Sequence, residues 1–329
     1  MNAVTTQPQA QAEAAPSQDG ASASNIIVFQ DEELKKRAAG LIAFWTLSGD
    51  VRLEALDQAL RAEGSSAIRP DAPSNVVALR RAVETLADNL KLESHGKEGG
   101  KWRLVAPGSK EEVKEETTPG TTLFNGETRR KKALVYDVKL TAQLTGNARD
   151  VLEVENLTGN PTAESDLRAA MAYAKTALDT SDISAWLCER LSGLGAVRLR
   201  ESGGFYFVPV DSVSRWEKLT NALKACSSHL LYSIPAMKTK DAMEAILAAV
   251  TAETRQACKE ISEAVGSAEL GSRALETKEK QTSSILSKVE RYEGILGTRL
   301  DDLRQALDET RQAIATAILL ASQPSGEAT

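Results

Sequence analysis

Apolar positions three and four residues apart predict three consecutive amphipathic helices near the start of the chain. The first covers 31–47, the second points Leu53 and Leu60 inward, and the third covers 75–89. Two short strand-like runs follow within 91–105, and the glycines between them predict a hairpin. The pattern therefore predicts three helices and then two paired strands.

A similar order returns in the middle of the chain. Helical spacing predicts one helix that ends at Leu178 and another that Asp182 caps. Strand-like runs at 196–200 and 205–208 flank a Gly-Gly pair and predict a second hairpin. Because both hairpins place Gly-Gly before an aromatic-containing strand, we interpret 129–211 as a second copy of the helix and hairpin unit.

The chain from Ser212 onward predicts almost only helix, with Pro235 as an interruption. One helix covers 239–264, and a heptad-like stripe with charged flanks runs along 282–320. Such a stripe can pair with the 239–264 helix as a hairpin or with another chain, and the second choice predicts a homo-oligomer. The candidate oligomerisation residues are Val289, Leu296, Leu300, Leu303, Leu307 and Ile314.

The order of three helices and a hairpin resembles the winged helix-turn-helix superfamily across 31–106, in element order and not in a motif. The resemblance implies that 75–89 is a recognition helix and that 91–105 is a wing. The basic residues that it assigns to DNA contact are Arg80, Arg81, Lys97 and Lys101. The stretch 211–262 also resembles uncharacterised bacterial or phage-borne proteins, which implies no chemistry.

The expected fold class is mainly α with small β-hairpins, an α+β protein. The sequence predicts six regions along the chain. A disordered arm over 1–24 precedes a winged-helix-like module over 25–106, a linker over 107–128 and a second helix and hairpin module over 129–211. A helical and coiled-coil-like region over 212–322 and a loose tail over 323–329 follow.

Composition narrows the possible functions. The net charge of −6 and the pI near 5.3 argue against a protein that is basic overall, although a local basic surface is compatible with them. The chain has three widely spaced cysteines, which predict reduced thiols and a cytoplasmic setting. It has two histidines, His95 and His229, so no usual zinc site is expected. Residues 1–24 are expected to form an arm and not a secretory leader, and no apolar run of the sequence reaches the length expected of a membrane span.

The densest basic run is Arg129, Arg130, Lys131 and Lys132. These residues could contact phosphates beside the winged modules. The pattern favours the alternative, in which they form the solvated end of a linker that balances the acidic stretch 111–116. Residues 46–106 carry equal numbers of acidic and basic side chains, so DNA and protein both remain possible partners of the first module.

Motifs for catalysis are missing from the sequence. There is no phosphate-binding loop, no dinucleotide-binding turn and no nucleophile elbow, and neither histidine has a catalytic setting. We therefore expect a protein that is not an enzyme and that uses no cofactor, metal or evident small-molecule substrate. The first hypothesis is a DNA-associated winged-helix protein that oligomerises through its C-terminal helices. The alternative is an assembly protein whose modules bind protein partners.

Overall fold

A computed structural model of the chain describes residues 37–87, 90–95, 101–106, 110–114, 130–134, 137–200, 203–267 and 271–321. In these residues the fold is α+β, with eight α-helices and small antiparallel sheets. The helices are α1 Leu53–Ala62, α2 Asn75–Thr85, α3 Ala163–Ala174, α4 Thr180–Gly193, α5 Val213–Cys226, α6 Lys240–Gly266, α7 Ser272–Leu296 and α8 Asp301–Ala321. The strands are β1 Ala38–Thr46, β2 Val51–Arg52, β3 Lys91–His95, β4 Lys101–Ala106, β5 Lys110–Lys114, β6 Arg130–Leu134, β7 Asp137–Thr145, β8 Val151–Asn156, β9 Ala177–Leu178, β10 Val197–Arg198, β11 Phe205–Pro209 and β12 Leu230–Met237.

The central unit has three layers, with a four-stranded sheet in the order β10-β11-β1-β12 between two layers of helices. Helices α1, α4 and α5 cover one face and bury Leu41 and Trp216 in a shared core. Helices α6, α7 and α8 cover the other face and bury Phe207 and Tyr292. The sheet is therefore apolar on both faces, as expected for a middle layer.

Strand β1 corrects the helix that the sequence predicts over 31–47, of which residues 31–36 lie outside the described residues. Its side chains alternate between the two cores, with Leu41 and Ala43 on one side and Ile42 on the other. A strand that is buried on both faces reads as a continuous apolar run, which periodicity alone does not distinguish from a helix. Gly40 fits the close approach to β11, because a Cβ there would collide with the carbonyl oxygen of Val208.

A second unit is inserted between α1 and α4. It consists of an antiparallel sheet in the order β3-β4-β7-β8 and of helices α2 and α3, which pack on one face of that sheet. Its separate core includes Leu79 of α2, Leu140 of β7 and Leu167 of α3. The predicted hairpin over 91–105 is confirmed as β3 and β4.

The segment 31–106 does not form one module. Helix α1 carries Leu53, Leu56 and Leu60 into the core of the central unit, as its apolar spacing predicts, whereas α2 packs in the inserted unit. The chain passes between the units beside a short pairing of β2 with β9. Three helices in sequence followed by a hairpin are thus not the arrangement here, because local spacing does not specify which core each helix joins.

The predicted linker over 107–128 contains strand β5, Lys110–Lys114, and its other residues lie outside the described part of the chain. The predicted helix that ends at Leu178 stops at Ala174, and Ala177–Leu178 form β9. Helix α4 begins at an N-cap formed by Asp179, and Asp182 completes a reciprocal capping box three residues later. The second predicted hairpin is confirmed as β10 and β11.

The C-terminal third is less helical than predicted. Strand β12 occupies Leu230–Met237 at the edge of the central sheet, where Pro235 is tolerated. The predicted 239–264 helix is confirmed as α6. The stripe over 282–320 is divided between α7 and α8 by a turn in which Gly297 adopts a left-handed φ of 67°.

The predicted arm over 1–24 and the predicted tail over 323–329 lie outside the described residues. Among the helices that the structure does describe, none combines the length and the apolar character needed to cross a membrane.

Candidate functional site

The basic run lies on a two-stranded ribbon, hereafter the β-ribbon, formed by β5 and β6 (Lys110–Lys114 and Arg130–Leu134). Strands β4 and β7 are paired as far as Ala106 and Asp137, and both strands of the β-ribbon lie between these two residues in the chain. In the described residues, the main contacts of β5 and β6 are with each other, so the ribbon is an arm of the inserted unit.

The register of the β-ribbon separates its charges by face. Lys110, Glu112 and Lys114 are paired with Leu134, Lys132 and Arg130, so these six residues share one face. That face carries four cationic residues and one acidic residue, while the opposite face carries Glu111, Val113, Lys131 and Ala133. One face is therefore strongly basic in a chain whose net charge is −6.

Arg81, which the winged-helix resemblance assigns to DNA contact, forms ion pairs with two carboxylates at the start of α4. Its guanidinium lies 2.7 Å from the carboxylates of both Asp179 and Asp182, and its side chain is only 15% exposed. The carboxylates of Asp182 and Asp179 raise the pKa of Arg81, because they stabilise its charged form. The helical pattern gave no signal of this contact, because the partners come from a distant part of the sequence.

The other proposed DNA-binding residues are not gathered in one place. Arg80 lies on the exposed side of α2, 3.5 Å from Glu84. Lys101 lies at the end of β4 that is opposite to the β-ribbon, in register with Gln143. Lys97 and Arg129 lie outside the described residues. The structure thus keeps Arg130, Lys131 and Lys132 together and separates them from Arg80 and Lys101.

The predicted oligomerisation residues pack inside the chain. Val289, Leu300, Leu303, Leu307 and Ile314 are buried. Leu296 packs beside them against the core under α6, α7 and α8. Of the two arrangements left open by the sequence, the structure has the intramolecular one, in which the stripe pairs with α6.

A row of half-exposed apolar residues crosses the central sheet. The ring of Phe44 on β1 lies 5.7 Å from Phe205 on β11 and stacks at 4.8 Å on Tyr232 on β12. On β12, Leu230 and Ile234 are 48% and 46% exposed. The remaining aromatics of β11 are core residues, because Tyr206 packs in one layer and Phe207 in the other. We call these five residues, Phe44, Phe205, Leu230, Tyr232 and Ile234, the apolar row.

His229 and the three cysteines occupy buried or half-buried positions. His229 lies just before β12, not in a helix, and is 2% exposed. Its Nδ1 accepts a hydrogen bond of 3.2 Å from the backbone N–H of Ser48. Cys188 and Cys226 pack beside the first core, and Cys258 is buried in the second. No group of three or more His, Cys, Asp or Glu residues in the described part of the chain is arranged to hold a metal ion.

Two tryptophans hold the first core together. Trp186 donates its indole N–H to the carbonyl oxygen of Ile68 at 2.8 Å, and Trp216 donates to Ser233 Oγ at 3.0 Å. Both rings are buried, and their indole N–H groups are satisfied by these two hydrogen bonds.

These features define an α+β protein with an inserted sheet unit and a charged β-ribbon. The chain belongs to DUF6744, a family of unknown function whose match covers residues 40–324. No curated protein matches the chain, and no solved structure does.

Proposed function

We propose that the chain is a non-catalytic protein that associates with DNA through the β-ribbon. The observation that carries this proposal is the register, in which Lys110, Lys114, Arg130 and Lys132 share one face with a single acidic residue, Glu112. A two-stranded ribbon fits the major groove of B-DNA, and lysine and arginine bind phosphates with release of counterions. Binding of this kind needs a local basic surface and is compatible with an acidic chain.

Contact through the helix of a winged-helix module has weaker support. That mode would use Arg80 and Arg81 of α2. Arg81 is held by two carboxylates, so its use in DNA binding would require the loss of a partly buried ion pair.

The proposal is tested by the salt dependence of binding to a mixed-sequence duplex, measured by fluorescence anisotropy. We expect the wild-type chain to bind at low salt and to weaken steeply as salt rises. The double variant Arg130→Gln with Lys132→Gln should reduce the slope of log K against log salt by about 2, one unit for each lost phosphate contact. No binding by the wild-type chain at low salt would contradict the proposal.

A matched control removes two positive charges elsewhere. Lys238 and Lys240 are exposed near the start of α6, far from the β-ribbon in sequence. The double variant Lys238→Gln with Lys240→Gln has the same net charge as the ribbon variant. An equal loss of slope in both variants would assign binding to net charge and not to the β-ribbon.

The second candidate is an assembly protein that associates with itself, and the apolar row supports it. Leu230 and Ile234 lie on β12, which is an edge of the central sheet and is paired only with β1 in the described structure. Light scattering coupled to size exclusion tests this candidate. An oligomer that dissociates in Leu230→Ser with Ile234→Ser, without loss of folding, would support it, and a wild-type monomer would contradict it.

A further inference from the structure

A cleft of about 500 Å³ lies between three elements of the central unit. One wall is the turn after α1, which contains Ile68, and the others are the end of α4 and the first half of α5. The turn is fixed in place by the hydrogen bond from Trp186 to the carbonyl oxygen of Ile68. The volume is within the range of pockets that hold small molecules. None of the wall elements belongs to the β-ribbon.

Three cationic side chains line this cleft, and they come from two helices. Arg190 extends from α4, and Arg215 and Lys218 extend from α5, whereas Glu189 is the single carboxylate in the lining. Arg190 pairs with Glu189, and Arg215 donates to Ser212 Oγ at 3.0 Å. The cleft therefore has an excess of positive charge, which attracts an anion.

Part of this cationic group lacks a partner. Within the described residues, Lys218 has no hydrogen bond or ion pair. The Lys218 side chain is exposed and lines the cleft, so its ammonium group can donate charge-assisted hydrogen bonds to an oxygen-rich anion that enters there.

The floor of the cleft is apolar. Ile68, Leu194 and Leu219 line it, and the last two are buried in or beside the first core. Space is left by Gly64 and Gly193, since a Cβ at either position would meet no atom within 4 Å. An apolar floor beside guanidinium groups matches a ligand that has a flat or apolar body and an anionic end.

We propose that this cleft binds a small molecule that carries a phosphate monoester on an apolar or aromatic body. Arg190, Arg215 and Lys218 bind the phosphate oxygens, because guanidinium and ammonium groups donate charge-assisted hydrogen bonds to them. Ile68, Leu194 and Leu219 contact the body. This site is independent of the proposed DNA contact.

Isothermal titration of the full chain with phenyl phosphate tests the proposal, with inorganic phosphate and benzoate as comparison ligands. We expect phenyl phosphate to bind most tightly, because it alone has both the aromatic body and the dianionic phosphate. Arg215→Gln with Lys218→Gln should weaken phenyl phosphate binding about tenfold or more, which is the effect of losing charge-assisted hydrogen bonds. Failure of phenyl phosphate to bind the wild-type chain, or equal affinity for benzoate, would overturn the proposal.

Two further variants separate binding from folding and from general charge. Gly193→Leu adds a side chain at the open wall without changing charge, and it should abolish binding while circular dichroism shows the fold intact. Arg130→Gln with Lys132→Gln changes the β-ribbon and should bind phenyl phosphate like the wild-type chain. Equal weakening by the ribbon variant and the cleft variant would also overturn the proposal, whatever the result for DNA.

Discussion

Arg81 and Asp179 form an ion pair that joins the inserted unit to the central unit. The Nη2 of Arg81 on α2 lies 2.7 Å from Oδ2 of Asp179, which is the N-cap of α4. Asp182, the other half of the capping box, lies 2.7 Å from Nη1 of the same guanidinium. One side chain of the inserted unit therefore holds both carboxylates that begin a helix of the central unit.

Arg81→Ala should lower the free energy of unfolding by about 2 kcal/mol, because it leaves two partly buried carboxylates without their cation. Urea denaturation followed by circular dichroism measures this loss. The matched control is Arg80→Ala on the same helix, where the side chain is 47% exposed and pairs with Glu84 across one turn. The control should lose about 0.5 kcal/mol or less. Equal losses in the two variants would contradict a special role for Arg81.

Leu307→Ala should destabilise the chain without changing its molar mass. Leu307 is fully buried between α8 and its neighbours, so truncation removes apolar contacts and leaves a cavity, at a cost of about 2–5 kcal/mol. Thermal unfolding and light scattering on the same sample measure both quantities. Leu320→Ala, at an exposed position near the end of α8, should change neither stability nor mass by much. A fall in mass with unchanged stability would instead place Leu307 between copies of the chain.

Helices with one apolar face could be predicted from the sequence, because the information is local. The inward residues Leu53, Leu56 and Leu60 of α1 are buried as their spacing indicates. Ser74 caps α2 by accepting the backbone N–H of Val77 at 3.3 Å, which its position before the helix also predicts. In these elements the burial pattern and the capping residue agree.

Strands β1 and β12 could not be predicted in the same way. Both faces of β1 are apolar, and its partners Val208 and Ile234 are distant in the sequence. The periodicity of apolar positions indicates which face of an element is buried, but it does not indicate which distant strand is its partner in a sheet. The same limit applies to α1 and α2, which the pattern assigns to one module although they belong to different cores.

The candidate site was predicted in part. The basic run over 129–132 is visible in the sequence from its charge, and the acidic stretch 111–116 balances that charge. The opposite charges of these two stretches are the sequence signal that they can pair. In the β-ribbon Glu112 and Lys132 are indeed in register. The cationic cleft left no such signal, because Arg190 and Lys218 meet only through the packing of α4 and α5.

Glu293 should make stability depend on acid pH. Hydrogen bonds from Arg304, at 3.0 Å and 2.6 Å, and one from the backbone N–H of Leu300, at 2.8 Å, lower the pKa of Glu293 to about 2. In the unfolded chain the same carboxyl titrates near 4.3, so it stabilises the fold above that pH and the contribution is lost as pH falls toward 2.

Glu293→Gln should therefore flatten the decline of stability between about pH 5 and pH 3 in urea denaturation. The variant should also be less stable than the wild-type chain at neutral pH, since the charge-assisted hydrogen bonds to Arg304 are weakened. Glu290→Gln is the matched control, because Glu290 is half-exposed and lies 3.5 Å from the same Arg304. If the Glu290 variant flattens the profile as much, the local geometry at Glu293 is not responsible.

His229 should add a second pH dependence, near neutrality. Burial lowers the pKa of His229, because a charged imidazole is poorly solvated in the core, and its Nδ1 accepts the backbone N–H of Ser48 only while that nitrogen is unprotonated. The unfolded histidine titrates near 6.5, so folding stability falls as pH decreases below that value.

His229→Gln keeps a neutral acceptor for Ser48, and its stability should change less than that of the wild-type chain between about pH 7.5 and pH 5.5. His95, the other histidine, is present in both proteins, so parallel pH profiles in urea denaturation would show that His229 is not the group that titrates.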